Sequence, residues 1–126
     1  MDAVSVTGQR ILVVDDHAGF RAAVRRWLEA EGWIVVGEAR DGASALTAAA
    51  ALHPDVVLLN IGLPDMDGFA VAERMAGDGA PDVVLVSSRD PGAYAGRLAT
   101  SVAVGFIAKE GLDGAELRAL LDSVRH

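Results

Sequence analysis

The sequence contains no cysteine and few aromatic residues, with three Phe, two Trp and one Tyr in 126 positions. The lack of cysteine excludes a disulfide framework and a thiolate metal site, and it is compatible with a reducing compartment, so we expect a cytoplasmic protein. Hydrophobic residues nevertheless make up 52% of the chain, so its core must consist mainly of Val, Leu, Ile and Ala. A chain of this length is enough for one domain with its own core.

Long apolar runs and an excess of basic residues are also missing. No run reaches the roughly 20 apolar residues that cross a bilayer, and residues 1–10 lack the basic-then-apolar order of a secretion signal. The chain has 11 basic and 18 acidic residues, for a net charge of −7, which opposes nonspecific attraction to a nucleic-acid backbone. We therefore expect neither membrane insertion nor direct nucleic-acid binding.

Five short apolar runs, rich in branched residues, predict buried β-strands. They lie at residues 11–14, 34–36, 56–59, 83–86 and 104–108. Apolar residues at helical spacing follow each run, and Asp41, Asp90 and Asp113 are suited to begin helices. Five alternating pairs predict an α/β fold with parallel strands, right-handed crossovers and helices on both faces of the sheet. In such sheets, ligands bind at the carboxyl ends of the strands.

Polar residues stand at four of these carboxyl ends. They are Asp15 and Asp16 after the first strand, Asn60 at the third, Ser87 at the fourth and Lys109 at the fifth. The two carboxylates, the Asn60 oxygen and the backbone carbonyl of Gly62 can supply the hard oxygen ligands of Mg²⁺. A hydroxyl and an ammonium can hold phosphoryl oxygens, and phosphoryl transfer depends mostly on positioning and charge neutralisation. Each residue alone is ordinary, but the set predicts a metal and phosphoryl site.

Four segments around these residues resemble the receiver domain of two-component response regulators. They are Val-Val-Asp-Asp-His at 13–17, Pro54 to Asn60 with Leu-Pro-Asp-Met-Asp-Gly at 63–68, Val-Leu-Val-Ser-Ser at 84–88, and Gly-Phe-Ile-Ala-Lys at 105–109. The resemblance covers about residues 10 to 125, so we assign residues 10–126 to a receiver domain and residues 1–9 to an N-terminal extension. It implies a flavodoxin-like (βα)5 fold, a doubly wound sheet with strand order 2-1-3-4-5.

The resemblance also implies roles for the site residues. Asp15 and Asp16 correspond to the acidic metal pair, Ser87 to the hydroxyl that bonds the phosphoryl group, and Lys109 to the ion-pairing lysine. Phe106 corresponds to a switch aromatic, whose ring changes rotamer when the hydroxyl moves and so remodels the surface of the fourth helix, fifth strand and fifth helix. The alternative is that Phe106 is an ordinary core residue of the fifth strand.

The partners that the resemblance implies are those of a signalling module rather than of an enzyme. A sensor histidine kinase donates a phosphoryl group to an aspartate at position 60, and the domain can form a homodimer through its fourth helix, fifth strand and fifth helix. Many regulators append a C-terminal DNA-binding output domain, but no helix-turn-helix segment precedes His126. We therefore expect a stand-alone receiver or one whose output domain lies outside this sequence. Arg21 and Arg25 are candidate kinase contacts, although solvated arginines are the ordinary interpretation.

Asn60 departs from the family pattern, because it stands where the phosphate-accepting aspartate belongs. An amide cannot form an acyl phosphate, so we expect this chain to be non-phosphorylatable at that position. The site also loses a negative charge, which should weaken metal binding and remove an ion-pair partner of Lys109. Two interpretations stay open. Asn60 is an introduced or recent change in a working receiver, which the retention of the other site residues favours, or the protein is a natural phosphorylation-independent pseudo-receiver that acts as an interaction module.

A flavin carrier or a phosphatase on the same fold is a third hypothesis. A phosphate cradle after the first strand requires glycine and hydroxyl residues, whereas Asp15 and Asp16 repel a phosphate unless a metal intervenes. Phosphatases with an aspartyl nucleophile after the first strand typically separate their two aspartates by one residue, and here the two are adjacent. The sequence therefore favours the receiver.

Overall fold

The apolar runs of the sequence form one parallel sheet in the computed structural model, which describes residues 9–125. Its strands are β1 (Arg10–Val14), β2 (Ile34–Ala39), β3 (Val56–Asn60), β4 (Asp82–Ser87) and β5 (Gly105–Ala108). Neighbouring strands are parallel, and their order is β2-β1-β3-β4-β5. This order confirms the predicted α/β class and the flavodoxin-like topology.

The strands alternate with five α-helices. These are α1 (Ala18–Ala30), α2 (Gly42–Leu52), α3 (Gly68–Met75), α4 (Ala95–Thr100) and α5 (Gly114–Arg125). Two of the predicted starts are made by side-chain caps, since Asp41 accepts a hydrogen bond from the Ser44 amide and Asp113 accepts one from the Glu116 amide. Short 3-10 helices, Pro91–Tyr94 and Lys109–Gly111, precede α4 and follow β5.

The fourth helix differs from its predicted form. Asp90 does begin a helical segment, because its side chain accepts a hydrogen bond from the Gly92 amide at 3.0 Å, but the first turn is a 3-10 helix and α4 has only six residues. All six described residues of α4 remain at least partly exposed. Tertiary packing supplies most of the stability of a helix in a protein. Because α4 buries so little apolar surface, few packing contacts are present to stabilise additional turns.

Strand β2 is longer than the apolar run that predicts it. It continues through Ala39, and Gly37 and Glu38 pair with Leu12 and Val13 of β1 after a register shift. Gly and Glu have low strand propensity, but pairing with a buried central strand overrides that preference.

The core has two halves, one on each face of the sheet. On one face, strand residues such as Ile11 and Leu58 pack with residues of α1 and α5, including Leu28 and Leu117. On the other face, residues such as Leu59 pack with α2, α3 and the partly buried side chains near α4. Strand side chains alternate between faces, so consecutive buried residues of β1 and β3 serve both halves. This arrangement confirms helices on both faces and leaves the strand ends free to form a site.

The two ends of the chain and the predicted lack of a membrane span can also be compared with the structure. Residues 1–8 of the predicted extension and His126 lie outside the described residues. Gln9, the last residue of that extension, accepts a hydrogen bond from the Ile34 amide at 2.8 Å, so it continues the β1–β2 pairing. Across residues 9–125, none of the helices combines the length and the apolar character that a bilayer crossing demands.

Candidate functional site

The carboxyl ends of the strands surround a cavity of about 280 Å³. Its lining consists of His17, Asn60, Gly62, Ser87, Ser88, Arg89, Tyr94 and Lys109. Four of the residues predicted for the site therefore share one cavity. Asp15 and Asp16 border it through their contacts with Lys109 and His17, and Phe106 lies one aromatic ring away, behind Tyr94.

Asp15 is a buried carboxylate at the end of β1, with 1% of its surface exposed. Its Oδ1 accepts a hydrogen bond from the His17 amide at 2.8 Å, and the His17 Nδ1 lies 3.1 Å from the same oxygen. Its Oδ2 lies 2.8 Å from the Lys109 Nζ as an ion pair but accepts no well-oriented hydrogen bond among the described residues. A charge so deeply buried persists only when it is paired, and Lys109 supplies the pairing charge.

The acidic cluster at the end of β1 tests whether the site suits a divalent cation. Asp15, Asp16 and His17 each offer an atom, and these atoms lie within 4.8 Å of one another. Asp16 is exposed, while the Oδ2 of Asp15 is a buried oxygen to which nothing in residues 9–125 donates a hydrogen bond. Carboxylate oxygens of this kind suit Mg²⁺. This part of the predicted ligand set fits the metal.

In the other part of the predicted ligand set, the Gly62 carbonyl accepts a hydrogen bond within the chain, and the Asn60 oxygen that was predicted as a ligand takes no part in that bond. The Nδ2 of Asn60 donates to the carbonyl oxygen of Gly62 at 2.9 Å, and Asn60 is only 7% exposed. A carboxylate has no hydrogen to donate, so an aspartate at position 60 would face that carbonyl oxygen with like partial charge unless a cation lay between them. Because of the amide, Asn60 and Gly62 satisfy each other, and the donor set fits Mg²⁺ only in part.

Lys109 retains an ion-pair partner although residue 60 carries no charge. Its Nζ pairs with Asp15 at 2.8 Å and lies 4.3 Å from the centre of the Phe20 ring. The ring face attracts the ammonium through its quadrupole. Lys109 therefore has a charged partner at the end of β1 although residue 60 is neutral.

Ser87 is held by residues of its own segment. It is 4% exposed, its Oγ accepts a hydrogen bond from the Arg89 amide at 3.0 Å, and the same atom lies 3.1 Å from the Tyr94 hydroxyl. Tyr94 was not among the predicted site residues, because the sequence shows only that it forms, with Leu98, a weak apolar stripe in the helix that Asp90 is suited to begin. Its position seven residues after Ser87, as the one tyrosine in the chain, is the signal that could have identified it.

The family model described as the response regulator receiver domain matches residues 11–122. The chain belongs to this family.

Relatives of the receiver domain agree with this assignment. The probable transcriptional regulatory protein NarL of Mycobacterium tuberculosis is 39% identical over 118 residues, which is 92% of this chain and 55% of NarL. BvgA of Bordetella pertussis is 40% identical over 101 residues, 79% of this chain and 48% of BvgA. The solved signal receiver domain of M. tuberculosis NarL is 37% identical, with a TM-score of 0.82, and the match covers 94% of this chain and 98% of that one. The chain spans about half the length of the curated relatives it matches.

Phe106 of the receiver domain lies on β5 opposite Leu85 of β4. Its side chain is partly buried against the half of the core that packs with α2 and α3. Its ring centre lies 6.3 Å from that of Tyr94. Tyr94 lies in turn 5.8 Å from Phe69 of α3. These contacts agree both with a core residue and with a switch aromatic, so the switch role stays a prediction.

The two arginines predicted as kinase contacts have partners within the receiver domain. Glu38 of β2 forms ion pairs with the Arg25 Nη1 at 2.8 Å and the Arg21 Nε at 2.9 Å. The hydrogen bond from Arg25 lowers the pKa of Glu38, and that from Arg21 adds to it, against the opposing effect of burial. The Arg21 Nη1 also donates to the Asp15 carbonyl at 2.6 Å. Both arginines therefore attach α1 to the sheet.

Proposed function

We propose that this receiver domain acts in the cytoplasm and, with an aspartate at position 60, accepts a phosphoryl group from a sensor histidine kinase and thereby changes its binding to a partner. With Asn60, the chain stays in the unphosphorylated state and retains only the docking part of that cycle. The observation that carries the proposal is the placement of Asn60 in one cavity with Ser87 and Lys109. The domain acts as an acceptor rather than as an enzyme with its own substrate.

Each cavity residue would take one part of the transfer. A carboxylate oxygen at position 60 attacks the phosphorus of phosphohistidine, and the imidazole nitrogen leaves with the bonding electron pair. Lys109 offers its ammonium to a phosphoryl oxygen, and the Ser87 hydroxyl donates a hydrogen bond to another. Both contacts stabilise the negative charge on the phosphoryl oxygens, and this stabilisation is the main task in phosphoryl transfer. The amide of Asn60 is too weak a nucleophile for the first step.

Asp15 and Asp16 would hold Mg²⁺ at this site. The bound ion would supply positive charge beside the phosphoryl oxygens. In this chain we expect weaker binding than in an aspartate form, because the Gly62 carbonyl already accepts a hydrogen bond from Asn60 and residue 60 carries no charge.

The output of the domain would lie in further protein sequence or in a second copy. The curated relatives NarL and BvgA are named as transcription regulators and are about twice as long as the matched segment. We propose that the domain controls a DNA-binding output domain of this kind, and that homodimers form through the surface of α4, β5 and α5. The exposed Val124 of α5, 44% accessible, is an apolar side chain that such an interface could bury.

A phosphorylation-independent pseudo-receiver is the second candidate. It is favoured by one observation, namely that Asn60 donates a hydrogen bond to Gly62 and Lys109 pairs with Asp15 while residue 60 carries no charge. These contacts hold both side chains in place without a phosphoryl group.

Restoring the acceptor separates the two candidates. The parent chain and Asn60→Asp are incubated with acetyl phosphate and Mg²⁺, and covalent phosphate is measured by intact-protein mass spectrometry. We expect one phosphoryl group on Asn60→Asp, none on the parent, and much slower labelling of Asn60→Asp when Lys109→Gln is added. If Asn60→Asp is folded by circular dichroism but takes no phosphate, the pseudo-receiver replaces the proposal. Labelling of the parent would place the acceptor elsewhere.

A further inference from the structure

Tyr94 connects the cavity to the helix beside it. Its hydroxyl lies 3.1 Å from the Ser87 Oγ, and its ring lies between Phe69 of α3 and Phe106 of β5, with centre distances of 5.8 and 6.3 Å. It ends the 3-10 helix and is followed directly by α4. One side chain thus touches the buried hydroxyl at the end of β4 and the aromatic side chain of β5.

The direction of the Ser87–Tyr94 hydrogen bond follows from the surroundings of the two hydroxyls. A serine hydroxyl has one hydrogen to donate and two lone pairs, and the Arg89 amide donates to one of these lone pairs. If Tyr94 donated to the other, the hydrogen of the buried Ser87 would have no acceptor among its described contacts, which is costly. Both residues line the cavity, but Ser87 is 4% exposed whereas Tyr94 is half-buried, so Tyr94 can give its own hydrogen to water more readily. The surroundings therefore favour Ser87 as the donor.

Two kinds of contact attach α4 and the turn before it. Arg97 of α4 pairs with Asp67 at 2.8 Å and lies 4.2 Å from the centre of the Phe69 ring, and Tyr94 contacts the buried Ser87 hydroxyl. All six described residues of α4 remain at least partly exposed, so the helix has no fully buried anchor of its own. Tyr94 and Leu98 are the partly buried side chains that join the segment from the 3-10 helix through α4 to the core. Of these two, Tyr94 alone can also form a hydrogen bond.

We propose that Tyr94 is a positioning residue that holds the single hydroxyl hydrogen of Ser87 in the resting site and so couples the cavity to α4. This inference rests on the proposed function, because Ser87 must withdraw that hydrogen from Tyr94 before it can donate it to a phosphoryl oxygen at position 60. When it does, Tyr94 loses its acceptor role, α4 is held less firmly, and the ring of Phe106 loses a fixed neighbour.

The first part of the experiment uses the chain with Asn60 and does not require phosphorylation. Amide hydrogen exchange is measured for the parent, Tyr94→Phe, Ser87→Ala and the double variant. Tyr94→Phe keeps the ring packing and removes only the hydroxyl, so we expect roughly three- to tenfold faster exchange of the amides of α4, the range that one net hydrogen bond gives. In the Ser87→Ala background the same change should add nothing. Equal effects of Tyr94→Phe with and without Ser87 would show that Tyr94 acts through packing alone and would overturn the proposal.

The second part measures binding of beryllofluoride, a phosphoryl mimic, to Asn60→Asp by calorimetry in the presence of Mg²⁺. Adding Tyr94→Phe should tighten binding roughly three- to tenfold, because Ser87 no longer has to break a hydrogen bond. Leu98→Ala loosens α4 but leaves the Ser87–Tyr94 hydrogen bond in place, so it should tighten binding less than Tyr94→Phe does. Unchanged or weaker binding in Tyr94→Phe overturns the inference. If Asn60→Asp itself binds no beryllofluoride, the proposed function fails, while the exchange measurements still decide the role of Tyr94.

Discussion

The side-chain amide of Asn60 donates a hydrogen bond to the carbonyl oxygen of Gly62 at 2.9 Å, at the end of β3. The Gly62 carbonyl and the Asn60 oxygen were predicted to face a common metal ion, and that role stays a prediction, because the hydrogen bond engages the Asn60 nitrogen and not its oxygen. The amide hydrogen supplies the partial positive charge that a cation would otherwise bring to the carbonyl. In this chain the Gly62 carbonyl therefore has a hydrogen-bond donor without a metal ion.

The first prediction is that Mg²⁺ stabilises Asn60→Asp more than it stabilises the parent. Without divalent cations, Asn60→Asp should lower the free energy of unfolding by about 1–3 kcal/mol, because a buried hydrogen bond is lost and a charge is added. Saturating Mg²⁺ should return about 2.7 kcal/mol at a hundredfold excess over Kd. Thermal denaturation with and without Mg²⁺, at equal ionic strength, measures both effects.

A control for this prediction removes one expected ligand. Asp16→Asn in the Asn60→Asp background should reduce the shift in Tm that Mg²⁺ produces and change the stability without Mg²⁺ little, since Asp16 is exposed and the ion pair of Lys109 is with Asp15. If Mg²⁺ raised the Tm of the parent and of Asn60→Asp equally, this result would contradict the claim that Asn60 weakens Mg²⁺ binding.

The second prediction concerns the ion pair of Asp15 and Lys109, 2.8 Å apart. Lys109→Gln should destabilise the domain by up to about 3 kcal/mol, at the low end for a broken buried pair, because His17 still bonds the other oxygen of Asp15. The double variant Asp15→Asn with Lys109→Gln should be more stable than the sum of the single changes indicates. Urea unfolding of the four proteins at pH 7 gives the coupling free energy, and additive effects would show that the ion pair contributes nothing.

The location of the site could be predicted from the sequence because the fold is encoded in short patterns. Buried parallel strands appear in a sequence as short runs of branched apolar residues, and polar residues mark the ends of these runs. The carboxyl ends of parallel strands lie at the same edge of a sheet, so Asn60, Ser87 and Lys109 could be placed together without knowing any distance. The strand order could not be derived in this way and came from the family resemblance.

The partners of each side chain could not be predicted, because they depend on distances of a few ångströms between elements far apart in sequence. Lys109 and Asp15 are 94 residues apart, and only the fold shows that this lysine pairs with the buried carboxylate. Glu38 looked like a polar residue after a strand, whereas it lies within β2 and binds Arg21 and Arg25. Tyr94 belonged to a stripe too weak to indicate a contact with Ser87.

The third prediction follows from the lowered pKa of Glu38, whose ordinary value is 4.5. Because the folded pKa lies below the unfolded one, Glu38 contributes its full stabilisation above pH 4.5 and loses it as the pH falls through the folded value. Glu38→Gln should therefore cost about 0.5–1 kcal/mol at pH 7, a range suited to partly exposed ion pairs, and almost nothing at a pH below the folded pKa. Urea unfolding across this range measures the difference, with Glu73→Gln of α3 as an exposed control of equal charge change. A penalty for Glu38→Gln that does not vary with pH would contradict the assignment.

The last prediction compares two glycines that differ in what a methyl group would meet. A Cβ at Gly68 would lie 2.8 Å from the Asn60 carbonyl oxygen and 2.9 Å from the Ile61 Cα, whereas one at Gly96 would meet nothing within 4 Å. Gly68→Ala should therefore destabilise the domain by about 1–3 kcal/mol, because the crowded atoms are backbone and cannot rotate away. Gly96→Ala, within α4, should be neutral or stabilising by up to about 1 kcal/mol, since alanine favours the helix. Urea unfolding of both variants decides the matter, and similar effects at the two positions would contradict the close approach of α3 to β3. A methyl group at Gly68 would displace the backbone carbonyl of residue 60, which is the acceptor position. Gly68→Ala should therefore also slow phosphorylation of the Asn60→Asp form, while Gly96→Ala leaves it unchanged.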